Sequence, residues 1–84
     1  MSRVVISSSE QLGQVLQGAR KIAGLSQADT AARLAISQSR ISHLELNPET
    51  ISVAQLLALL AAYDLDLLVE ARSIRDAAVD RFEW

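Results

Sequence analysis

Two serines, Ser26 and Ser37, restrict the possible folds of this 84-residue chain more than any other feature. Each is placed to open a short helix. Ser26 is followed three residues later by Asp29, an approximate capping box: the hydroxyl accepts from the N3 amide and the carboxylate reaches back to the cap amide. Ser37 caps a second helix running through Glu45, with Ile41 and Leu44 on its inner side. Leu34-Ala35-Ile36 leaves room between them for a tight turn only. Two compact helices joined so closely lie across each other, and the second keeps one face free.

The composition agrees with a small helical domain. Half of the residues are hydrophobic, aromatic residues make up 4%, and alanine and leucine dominate, which favours helix over sheet. A chain of this size is near the limit at which one core suffices, so the apolar surplus points to self-association. The absence of cysteine excludes disulfides and thiolate metal sites, and a single histidine leaves little for any other metal centre. No apolar run approaches a membrane span and no signal-peptide pattern opens the chain, so a cytoplasmic protein is expected.

The net charge of −2 is unevenly distributed. Up to Asn47, Arg3, Arg20, Lys21, Arg33 and Arg40 oppose Glu10, Asp29 and Glu45, a balance of +2. From Pro48 onward, Arg72, Arg75 and Arg81 face Glu49, Asp64, Asp66, Glu70, Asp76, Asp80 and Glu83, a balance of −4. A basic half joined to an acidic half points to two different partners, against the plain alternative of random scatter.

Around the two central helices the chain divides into an arm over residues 1–8, a helical domain over 9–64, a strand over 65–72 and a tail over 73–84. Arg3-Val4-Val5-Ile6 is β-branched, either a small strand or an extended arm. Ser8 with Gln11 fits a capping box for a first helix from Ser9 to Ala23, with Leu12, Val15, Leu16, Ala19 and Ile22 on one face and Gly24 as its stop. Pro48 bars Asn47 from helix, and either Thr50 or Ser52 then opens a fourth helix, Val53 to Tyr63. That helix is apolar on nearly every side and is expected to be buried all round, partly by a second copy of the chain. Beyond Asp64, Leu65, Leu67, Val69 and Ala71 alternate with Asp66 and Glu70 as in a strand. A lone strand is unstable in water, so its partner is either Arg3–Ile6 or the same strand of another subunit.

The residues opening the third helix have the chemistry of base readout. Gln38 carries an amide able to pair bidentately with adenine, and Ser39 is a short donor and acceptor that permits close approach. Arg40 can reach a phosphate or a guanine, and His43, one turn beyond Ser39, extends the same face. Gln27, beside the free amides opening the second helix, is placed for phosphate contact. The plain alternative is an ordinary solvated helix face. Asp64, Asp66 and Glu70 lack an accompanying nucleophile or metal ligand and read as solvated charges, while Leu56, Leu57, Leu59 and Leu60 read as core and dimer interface rather than a cofactor pocket.

The residues Arg20, Gly24-Leu25-Ser26-Gln27, Leu34, Ile36-Ser37-Gln38, Ile41-Ser42 and Glu45 resemble the helix-turn-helix of phage-repressor-like regulators, the XRE or Cro/C1 type. The resemblance implies base contacts from Ser37, Gln38, Ser39 and His43 and a backbone contact from Gln27; phosphate contacts are expected from Ser26, Gln27, Arg40, Asn47 and Arg20. It also implies a structural ion pair between Arg20 and Glu45. The family usually has glycine in the turn where this chain has Ala35, and alanine is penalised at positive φ.

Order, length and the ending Asp80-Arg81-Phe82-Glu83-Trp84 further resemble HipB-type antitoxins. Those proteins dimerise partly through a C-terminal strand, repress their own operon and bind a HipA-type serine/threonine kinase toxin. The resemblance implies a mainly α repressor domain of four to five helices, with a short C-terminal strand pairing across a homodimer. The expected interface is Leu56, Leu60, Leu65, Leu67 and Val69, with a palindromic double-stranded operator as target. Phe82 and Trp84 are the expected toxin contacts. A tryptophan in so aromatic-poor a chain suits a partner's pocket, the alternatives being that it folds back on its own domain or ends a disordered tail. No catalysis, cofactor, membrane or small-molecule substrate is expected. The competing readings are a stand-alone phage-type repressor and a protein-interaction module with little DNA affinity, the latter kept open by the low positive charge.

Overall fold

The computed structural model of the chain describes residues 3–72. Four α-helices follow one another: α1 (Ser9–Ile22), α2 (Gln27–Leu34), α3 (Gln38–Leu46) and α4 (Val53–Ala62), with a single 3-10 turn, Pro48–Thr50, between α3 and α4. The mainly α class is as expected.

Every α-helix begins in the same way. Ser8, Ser26, Ser37 and Ser52 hold extended backbone, and each hydroxyl accepts from the amide three residues on, in Gln11, Asp29, Arg40 and Gln55. The Ser26–Asp29 and Ser52–Gln55 pairs are reciprocal capping boxes, so Ser52 rather than Thr50 opens α4. The expected Ser8–Gln11 box is displaced by one residue: Gln11 Oε1 accepts from the Ser7 amide at 2.7 Å instead of from Ser8.

Three of the helices also end alike. Gly24, Ala35 and Asp64 have left-handed backbone, with φ of 74°, 57° and 58°. Past each of them an amide reaches back five residues, Leu25 to Arg20, Ile36 to Ala31 and Leu65 to Leu60. This is the Schellman ending, and Leu25, Ile36 and Leu65 are the apolar residues that it folds back onto the core. Ala35 therefore adopts the conformation that glycine would favour, and the turn keeps its shape at a conformational cost.

Leu16, Ala31, Ile41, Leu59, Leu60 and Tyr63 form the core, with Leu44 buried beside them. α2 packs against α3 and α4, while α1 packs against α3 and the 3-10 turn. The last contact is close because Gly13 has no side chain: a Cβ there would lie 2.9 Å from Pro48 Cγ. The buried stripe of α1 is Gly13, Leu16 and Arg20, which turns Ile22 outward against expectation, about 200° from Arg20 around the helix.

Within one chain α4 is not buried all round. Leu59 and Leu60 face inward, but Val53 is 71% and Leu57 49% exposed, because the chain has too few elements to cover a second face. Residues 65–72 form no strand, and no strand occurs among the described residues. Beyond Leu65, which packs on the core, residues 66–70 are exposed, and Glu70 pairs with Arg3 of the arm at 3.2 Å. Both side chains of that pair are mostly exposed, so it adds little to stability.

Candidate nucleic-acid interface

Glu45, on α3, gathers donors from both preceding helices. Arg20 Nε and Nη2 donate to its two carboxylate oxygens at 2.7 and 3.2 Å, a bidentate pair, and Arg20 Nη1 donates to the Leu25 carbonyl at 2.9 Å. Gln27 Nε2 donates to Glu45 Oε1 at 3.0 Å. The two charged side chains are 10% and 9% exposed. The hydrogen bond that Arg20 donates to Glu45 raises the Arg20 pKa further, against the opposing effect of burial.

The expected ion pair is thus present, and it locks the end of α1, the start of α2 and the body of α3 into one unit. Three of the five guanidinium N–H groups of Arg20, the residue also expected at a phosphate, are spent on Glu45 and the Leu25 carbonyl. Gln27 is also held by Glu45 at the opening of α2, where the first-turn amides have no intrahelical acceptor.

Ser26 is committed to its cap and accepts from the Asp29 amide at 2.9 Å. Asp29 in turn accepts from the Ser26 amide, and these contacts lower its pKa. Thr30, fully buried, donates to the Ser26 carbonyl at 3.1 Å and accepts from the Tyr63 hydroxyl at 3.4 Å. That chain of bonds ties α2 to the end of α4 and fixes the platform under α3.

On α3, Ile41 and Leu44 are buried while Gln38, Ser39, Arg40 and His43 are all exposed, so the four lie on the outer side as the sequence predicts. Ser37 is different in kind: its hydroxyl accepts from the Arg40 amide at 3.2 Å and pairs with Ser39 Oγ at 3.1 Å. It shapes the helix opening rather than standing free. Arg40 forms no ion pair among the described residues. Asn47 caps the other end of α3. Its Nδ2 donates to the His43 carbonyl at 3.1 Å and lies 3.4 Å from His43 Nδ1.

Of the residues expected at a dimer interface, Leu60 is consumed by the core of its own chain. Leu56 and Leu65 pack partly against that core, and Leu67 and Val69 are exposed. Exposed Leu57, together with Val53 and Leu68, which the sequence reading omits, extends the same apolar character. Phe82 and Trp84 lie outside the described residues.

Sequence reasoning missed two contacts, Gln27–Glu45 and His43–Asn47. The second has a visible signal, because residues four apart share a helix face. The first joins residues on different helices and has none.

Among the described residues, no three His, Cys, Asp or Glu side chains converge as a metal site, and no helix is long and apolar enough to cross a membrane. No curated protein matches the chain. Two solved structures share its fold. One, described as a HipA–HipB–O2–O3 complex, contains a chain 24% identical with a TM-score of 0.76, the match covering 84% of this chain and 100% of that one. The other, described as a HipB–O1–O2 complex, contains a chain 25% identical with a TM-score of 0.73, covering 80% and 97%. The helix-turn-helix family (HTH_3) matches residues 16–69, from the core of α1 through the serine-capped pair and α4, and the chain belongs to that family.

Proposed function

We propose that this chain is a homodimeric, operator-binding repressor that serves as the antitoxin to a HipA-like serine/threonine kinase and represses its own operon. The observation that carries the proposal is α3 itself. It is a short helix braced from behind by the Arg20–Glu45 pair, with Gln38, Ser39, Arg40 and His43 all exposed. Such a helix presents amide, hydroxyl, guanidinium and imidazole groups to base edges in a major groove. Gln27 and the opening amides of α2 supply phosphate contacts alongside it. Likeness in fold to the chains of the HipA–HipB–O2–O3 and HipB–O1–O2 complexes supports the choice of operator and kinase as partners.

Dimerisation uses the surface that the single chain leaves bare, the outer side of α4 at Val53 and Leu57 together with Leu67, Leu68 and Val69. Residues 65–72 become a strand when a second copy supplies the pairing edge, which explains their irregular form in one chain. Residues 1–8 act as an arm, 9–64 as the DNA-binding unit and 73–84 as the tail whose Phe82 and Trp84 engage the kinase. The protein works in the cytoplasm by binding alone, without catalysis.

The test pairs two variants of the full chain. Gln38→Ala with Ser39→Ala abolishes selective operator binding in a mobility-shift assay while leaving the dimer folded. Deletion of residues 82–84 weakens kinase capture and leaves DNA affinity intact. Unchanged operator affinity in the first variant refutes α3 as the reader. Equal losses of both activities on deletion refute the assignment of the tail to the kinase.

A further inference from the structure

We propose that Asn47 is a positioning residue that sets the hydrogen-bond polarity of His43, holding Nδ1 as an acceptor so that Nε2 always offers a proton to the DNA. The base edge so read is an acceptor, namely a purine N7, a guanine O6 or a thymine O4, and never the amino group of cytosine or adenine. The inference rests on the reading of α3 as the recognition helix.

The geometry leaves little choice of polarity. The Asn47 side chain meets the backbone carbonyl of His43 at 3.1 Å. A carbonyl oxygen only accepts, so the amide atom facing it is the NH2 nitrogen and not Oδ1. The same nitrogen lies 3.4 Å from His43 Nδ1. With a donor on that side, Nδ1 presents its lone pair and the ring proton resides on Nε2. The Asn47 backbone amide donates to the same His43 carbonyl at 2.8 Å, so the clasp is anchored by main chain and side chain together. His43 is exposed, while Asn47 is partly covered and occupies the helix cap behind it. An asparagine so engaged has its amide nitrogen committed to the histidine rather than to the phosphate expected from the sequence.

The experiment has two parts, both on the full-length protein. Long-range nitrogen–proton NMR on a 15N-labelled sample reports the tautomer directly: Nδ1 is expected to be pyridine-like and Nε2 pyrrole-like. Selection from a randomised operator library then compares the wild type with Asn47→Ala, His43→Ala and the double variant. At the base read by His43 the wild type selects against cytosine, which offers the major groove a donor and no acceptor, and Asn47→Ala relaxes that selection about tenfold while leaving the other positions unchanged. In the double variant, Asn47→Ala adds nothing at that pair to the effect of His43→Ala.

A proton on Nδ1 in the wild type overturns the proposal. So does an Asn47→Ala variant that binds all sequences more weakly by one common factor, the signature of a phosphate contact. Wild-type protein that selects no sequence at all refutes both this proposal and the reading of α3, whereas selective binding with a uniform loss in Asn47→Ala refutes this proposal alone.

Discussion

Replacing Arg20 by methionine keeps most of the apolar stem and removes the guanidinium. Glu45, whose side chain is 9% exposed, then retains Gln27 as its donor, and the Leu25 carbonyl loses the Arg20 hydrogen bond. Removing one partner of a buried ion pair costs about 3–5 kcal/mol, because the remaining charge is left uncompensated. A domain of this length is stable by roughly 4–13 kcal/mol at the usual per-residue range. Arg20→Met therefore removes a large share of the total, read as a lower urea midpoint by far-UV circular dichroism at fixed protein concentration, since a dimer's stability depends on concentration. The double variant Arg20→Met/Glu45→Leu leaves no buried charge and recovers most of the loss, giving a coupling of at least about 2 kcal/mol. A single variant that loses less than about 1 kcal/mol, with no recovery in the double, refutes the structural role. At a temperature where Arg20→Met remains folded, the salt dependence of operator binding also stays unchanged. A slope reduced by about one would restore Arg20 as a phosphate contact.

The two helical glycines of α1 respond to alanine with opposite signs. Gly18→Ala meets no atom within 4 Å and stabilises by about 0.5–1 kcal/mol, whereas Gly13→Ala drives a Cβ to 2.9 Å from the Pro48 ring and destabilises by about 1–3 kcal/mol. Thermal midpoints of the two variants check this. Ala35→Gly relieves a left-handed alanine worth about 1–2 kcal/mol and incurs about 0.4–1 kcal/mol of unfolded-chain entropy, so the midpoint rises by a few degrees; a fall refutes strain at the turn. Burial raises the Tyr63 pKa above its ordinary value of 10.0, so its contribution to stability is complete below that pH and is lost as pH rises through the higher folded value. Urea titrations across that range show a decline in the wild type that Tyr63→Phe diminishes.

The boundaries of the helices were legible in the chain because they depend on chemistry within a few residues. A serine hydroxyl satisfies an amide three positions on, and a left-handed residue closes the helix wherever an apolar residue follows to fold back on the core. The inward Ile41 and Leu44 and the outward Gln38, Ser39 and His43 followed from helical periodicity. Periodicity alone misplaced Ile22, because the buried stripe of α1 turns toward Arg20, whose charge becomes burial-compatible only through Glu45, twenty-five residues away. The same long-range packing brings Gln27 onto Glu45, a contact between different helices that no local pattern in the chain encodes. The roles of Leu56, Leu60 and Leu65 depended on which side of α4 the other helices cover, a property of packing that an all-apolar helix does not encode. What the sequence determined by itself was local, the caps and turns of the helices and the inner and outer faces of α3. Which polar groups are spent inside the molecule and which remain free to read another was decided only by tertiary structure, because hydrogen-bond partners distant in the chain become neighbours only when the helices pack.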